Sequence, residues 1–125
     1  MCIRDRDWDR AATVFRSIPI QQLETLGHKR RVASALNNLG NVLIKLGDFD
    51  EAVTHLEASL ALISDFDDAY ANANTLGSLG AALMKQGNVK RGTTLLQKAI
   101  QQLESLPLTT QSMELISEFK QALES

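Results

Sequence analysis

Shifted by 40 residues, the 125-residue chain matches itself. Ala33–Ile63 falls over Ala73–Leu103 with nine of 31 positions identical: Ala33/Ala73, Leu36/Leu76, Leu39/Leu79, Gly40/Gly80, Leu43/Leu83, Lys45/Lys85, Gly47/Gly87, Thr54/Thr94 and Leu56/Leu96. Most of these are apolar or glycine positions, which a repeated packing unit must keep. Such a chain has few folds open to it. Each unit has to bury its apolar face against the next, which makes an open stack in place of one closed core.

Within each unit the apolar period is helical. Leu36, Leu39, Leu43 and Leu46 recur at steps of three and four, as do Leu76, Leu79 and Leu83. Gly47 and Gly87 then stand where a helix ends in a left-handed residue. Asp48 follows as an N-cap with Glu51 at the capping-box spacing, and Asn88 is the equivalent cap without the box. A second amphipathic helix runs through Ala52, Leu56, Leu60 and Ile63 in one unit, and through Leu96, Ala99, Ile100 and Leu103 in the other. Each unit therefore reads as helix, tight turn, helix. Composition agrees, since 5% aromatic residues and 2 prolines leave an all-β reading unsupported.

Partial units flank this pair. Asp7–Phe15 lies over Asp48–Leu56 at an offset of 41 and reads as the second helix of a further unit, with Pro19 kinking or shortening it. Pro107 closes the last full unit. Beyond it Met113, Ile116, Phe119, Ala122 and Leu123 mark one more helix, a cap or the degenerate start of another unit. The expected architecture is an all-α repeat solenoid of six antiparallel helices over 7–25, 30–46, 48–64, 67–86, 88–105 and 109–124. Its domain, 7–125, divides into a half repeat 7–29, repeats 30–66 and 67–106, and a capping helix 107–125. Residues 1–6 belong to no repeat, resemble translated adapter sequence, and read as a non-native or unstructured stretch of a fragment.

The string Asn38-Leu39-Gly40-Asn41, followed by Gly47-Asp48-Phe49-Asp50-Glu51-Ala52 and Leu56, resembles a tetratricopeptide repeat. Leu36, Leu39, Gly40, Leu43, Gly47, Phe49, Ala52 and Leu56 occupy the large–small pattern of that family. The second unit departs from it: Val89 replaces the usual aromatic, and Gly92 replaces the usual alanine, which is expected to loosen that helix. The 40-residue length is similar to the family's longer-helix branch, as in kinesin light chains and bacterial signalling proteins. The resemblance implies a right-handed superhelix whose first helices line a concave groove. On that basis the partner-facing positions are Ser34, Asn37, Asn41, Ile44 and Lys45, then Asn74, Gly77, Ala81, Met84 and Lys85. Asparagine suits this role because its amide offers donors and an acceptor together, so it pairs with an extended backbone whatever the side chains. Lys45 and Lys85 recur one unit apart and suit an acidic ligand.

Other chemistries find little to stand on. The single cysteine, Cys2, allows no internal disulfide and no cysteine-cluster zinc site. His28 and His55 lie far apart in sequence and read as solvated or packing residues. Asp65, Asp67 and Asp68 lack the spacing of a calcium loop and read as helix-capping acids. His28-Lys29-Arg30-Arg31 is the one dense basic cluster and reads as a solvated inter-helix loop. A net charge of −2 supplies no basic excess for nucleic acid or an acidic membrane.

No catalytic residue, metal or cofactor is therefore expected. The expected function is a cytoplasmic protein-interaction scaffold that binds a protein or peptide on its concave face. The alternative is the regulatory or sensory arm of a larger signalling enzyme or transcription regulator. Self-association through apolar surface on helix 7–25 is a further expectation.

Overall fold

The computed structural model describes residues 29–64 and 68–124. The expected helix 7–25 with Trp8 and Pro19, residues 1–6, His28, and the acids Asp65 and Asp67 all lie outside the described residues. Among the described residues the chain is all helical: α1 (Lys29–Leu46), α2 (Phe49–Ile63), α3 (Ala69–Gln86), α4 (Val89–Glu104) and α5 (Thr110–Glu124). These match the expected boundaries to within two residues at each end.

Two tight turns set the hairpins. Gly47 (φ 85°) and Gly87 (φ 101°) adopt the left-handed conformation, which glycine enters without a Cβ penalty. In the first turn Gly47 N–H donates to Ile44 O at 3.1 Å and Asp48 N–H to Leu43 O at 2.9 Å. In the second, Gly87 N–H donates to Met84 O at 3.2 Å and Asn88 N–H to Leu83 O at 2.8 Å. Both sets are the paired bonds of a Schellman closure, which satisfy the last carbonyls of the helix.

This closure corrects the capping-box reading of Asp48. The box needs Glu51 to accept from the Asp48 N–H, but the Leu43 carbonyl already holds that group. Asp48 still stands at the N-cap of α2, though with no side-chain cap hydrogen bond, and Asn88 does the same for α4. Asp68 does cap, its carboxylate accepting from Ala71 N–H at 3.0 Å to open α3. At the start of α5, Thr109 and Ser112 bond each other reciprocally: Thr109 N–H donates to Ser112 Oγ at 2.8 Å and Ser112 N–H to Thr109 Oγ1 at 3.1 Å. Arg30 lies in the first turn of α1, not in a loop, and pairs with Asp68 at 2.9 Å.

Helices α1, α3 and α5 form one row, each touching the next; α2 packs against α1 and α3, and α4 against α3 and α5. The core is two layers that share α3. One joins Leu39, Val42 and Leu43 of α1 to Ala52 and Leu56 of α2 and to Leu79, Ala82 and Leu83 of α3. The other joins Ala73 and Leu76 of α3 to Leu96, Ala99, Ile100 and Leu103 of α4 and to Ile116 and Phe119 of α5. Each layer rests on its neighbour alone, as in a repeat array.

Within the first hairpin the buried Ser59 hydroxyl donates to Ala33 O at 2.6 Å. Between hairpins, Gln86 Nε2 donates to Asp50 Oδ1 at 2.6 Å and Arg91 pairs with Glu57 at 3.3 Å. The latter are exposed contacts that favour one register while adding little stability.

The glycines shared by the two units mark close helix approach. A Cβ on Gly40 would lie 2.5 Å from Leu56 Cγ. In the second unit the contact is between backbones, since a Cβ on Gly80 would stand 2.8 Å from Gly92 O and one on Gly92 2.7 Å from Gly80 O. Gly92 thus permits the α3–α4 approach, where the sequence pointed only to a loosened helix. Val89, in the aromatic position, is largely exposed.

Candidate functional site

The row α1, α3, α5 carries a cleft of about 540 Å³. Helix α1 contributes Asn41, Ile44 and Lys45, and α3 contributes Asn74, Ser78 and Ala81. The third wall is α5, through Leu115, Glu118, Phe119, Gln121 and Ala122. The walls are largely apolar, three carboxamides stand among them, and Lys45 and Glu118 supply opposite charges. That arrangement can hold an extended backbone by paired donors and acceptors while burying small apolar side chains.

A second cleft of about 220 Å³ opens between the N-terminal halves of α1 and α3, lined by Ser34, Asn37, Tyr70 and Asn74 among others. Asn74 lines both clefts, so they are neighbours on one face. A further recess beside Ala81 and Ala122 takes Met84 and Lys85. The proposed partner-facing residues therefore share one face, but not on equal terms. Ser34, Lys45 and Lys85 are exposed, and Asn41, Ile44, Asn74 and Met84 are half-buried. Lys45 and Lys85 also sit in the last turns of α1 and α3, where a cation favours the helix dipole.

Three positions differ from expectation. Gly77 does not face an open groove, because the Phe119 ring occupies the space a side chain there would need. Met84 turns partly toward α4: its Cγ lies 2.8 Å from where a Gly92 Cβ would be, and its sulfur accepts from the Thr93 hydroxyl at 3.4 Å. Asn37 is 7% exposed, and among the described residues its buried Oδ1 has no hydrogen-bond partner. An unsatisfied buried acceptor is destabilising, so Asn37→Leu, which keeps the shape and removes the polar atoms, should raise stability by about 1 kcal/mol. Urea unfolding followed by circular dichroism measures it, and an unchanged or lower midpoint would show that Oδ1 is satisfied in solution.

The α5 wall went unread in the sequence, although the 40-residue offset carries it. One further shift takes Asn41 and Ala81 to Gln121, and Ser78 to Glu118, all five in the larger cleft. The signal was masked because α5 lacks the mid-helix glycine and so reads as a cap.

Of the two histidines, His55 lies on α2, half-buried and 4.0 Å from Glu51 in the neighbouring helical turn. No described helix is long and apolar enough to cross a membrane.

A family model described as "Tetratricopeptide repeat" matches residues 31–105, from the first turn of α1 to the end of α4. No curated protein matches the chain.

Proposed function

The chain belongs to the tetratricopeptide repeat family, and from that premise we propose that it holds an extended segment of a partner protein along the face of α1, α3 and α5. Repeats of this family generally mediate protein–protein interaction and serve as non-catalytic scaffolds. The observation that carries the finer reading is the larger cleft on that face, which Asn41, Asn74 and Gln121 line with amides among apolar walls. Affinity on such a surface comes from many modest contacts on a preorganised frame, with no bond made or broken. Lys45 and Lys85 bias the segment toward acidic residues. Helices in one row lie about 10 Å apart, so matching carboxylates on an extended strand fall about three residues apart.

Peptide arrays probed with the purified chain test this. The expected result is saturable capture of acidic peptides, weakened at least tenfold in an Asn41→Ala, Lys45→Ala, Lys85→Ala variant that keeps its helical spectrum. Capture that survives the triple variant unchanged would remove the site from this face.

A further inference from the structure

The cleft beside Asn37 has features that a general peptide groove does not need. Asn37 lines it while nine-tenths buried, and among the described residues nothing bonds its Oδ1. Interiors rarely leave such an atom unpaired, and each instance asks for a cause. With Oδ1 unpaired among the described residues, a turn about the terminal torsion exchanges which end of the carboxamide faces the opening.

The charges at the cleft are already matched. Asp68 Oδ2 takes the Arg30 guanidinium at 2.9 Å, and Asp68 Oδ1 takes the Ala71 N–H at 3.0 Å. An incoming ion would therefore lose its hydration for little return. The volume, about 220 Å³, lies below that of ordinary small-molecule sites and suits a single side chain. Ala33, Ile63 and Ala71 offer apolar surface to the methylenes of that side chain, and Ser34 and Asn74 add polar groups.

We infer that this cleft is a side-chain socket for a primary carboxamide, a glutamine or asparagine of the bound segment, with Asn37 as its pairing group. A carboxamide carries a donor and an acceptor side by side, so it matches Asn37 in either orientation and brings no charge. This deepens, and rests on, the reading that the α1–α3–α5 face receives an extended segment. The acidic preference set by Lys45 and Lys85 belongs to the other end of the same face. Together they specify a segment with a carboxamide side chain at one end and acidic side chains at the other.

The test uses the whole chain and two small probes, N-acetyl-glutamine N-methylamide and N-acetyl-leucine N-methylamide, titrated in a ¹H–¹⁵N NMR experiment. The glutamine probe should give saturable shifts at the side-chain amides of Asn37 and Asn74, and bind roughly tenfold more tightly than its apolar counterpart. Asn37→Leu should abolish that preference while leaving the α4 resonances in place. Asn74→Ala, at a half-buried position, should weaken it with the fold intact. Equal binding of the two probes, shifts that do not saturate, or a preference that persists in Asn37→Leu would overturn the socket. These probes are too short to span the groove. Failure here with peptide capture intact therefore sinks the socket alone, and probe binding without capture sinks the extended-segment reading.

Discussion

Phe119→Ala should release α5 from the array while leaving the two hairpins folded. Phe119 is 4% exposed, packs in the second core layer, and fills the space above Gly77. Truncating a buried phenylalanine costs about 3–5 kcal/mol, most of a small domain's margin. The loss should be local because, among the described helices, α5 meets only α3 and α4, and its other buried residues are Ile116 and Ser112. Hydrogen exchange resolves this: amides of 110–124 should lose protection first, while those of α1 and α2 keep theirs. Peptide capture should fall with it, since the larger cleft loses its third wall. Uniform loss of protection across all five helices would show that the array unfolds as one unit. Unchanged protection in α5 would show that Phe119 does not anchor it.

Gly92→Ala should destabilise the chain even though alanine is the better helix former and the usual family residue at this position. The intrinsic gain is about 1 kcal/mol. Against it, the new methyl would stand 2.7 Å from Gly80 O and 2.9 Å from Met84 N, both backbone atoms that cannot rotate away. Overpacking of this kind costs about 1–3 kcal/mol. With two backbone contacts the upper part of that range applies, for a net loss of roughly 1–2 kcal/mol. In the first unit Ala52 already stands at the matching position and is fully buried, so the two hairpins are not interchangeable there. Thermal unfolding of Gly92→Ala beside Ala52→Gly decides the sign. Stabilisation by Gly92→Ala would mean that the α3–α4 approach relaxes freely.

These two sites show what the sequence made legible and what it did not. The helices, their turns at Gly47 and Gly87, and the core leucines could be read because burial and the left-handed turn each select a narrow set of residue types at fixed spacing. Gly92 could be read as small but not as necessary, since the reason lies in the carbonyl of Gly80 on another helix. The capping box at Asp48 failed for a similar reason: the preceding helix had already claimed the N–H it requires. The groove positions were carried over from a family resemblance, and they line neighbouring clefts of α1 and α3. Whether each is exposed depended on neighbours that periodicity does not reveal. Phe119 covers Gly77, α4 draws Met84 aside, and Asn37 is buried. The contribution of α5 was present in the 40-residue offset but lay hidden behind its missing glycine.

The most direct test of the groove is to map where a captured peptide lies. A ¹⁵N-labelled chain titrated with the tightest peptide from the array should shift amides at Asn41, Asn74, Ala81 and Ala122, along one face of α1, α3 and α5. Amides at Thr54, Glu57, Thr94 and Lys98, on α2 and α4, should stay unmoved. Shifts centred on those α2 and α4 positions would contradict the account and place the partner on the opposite face.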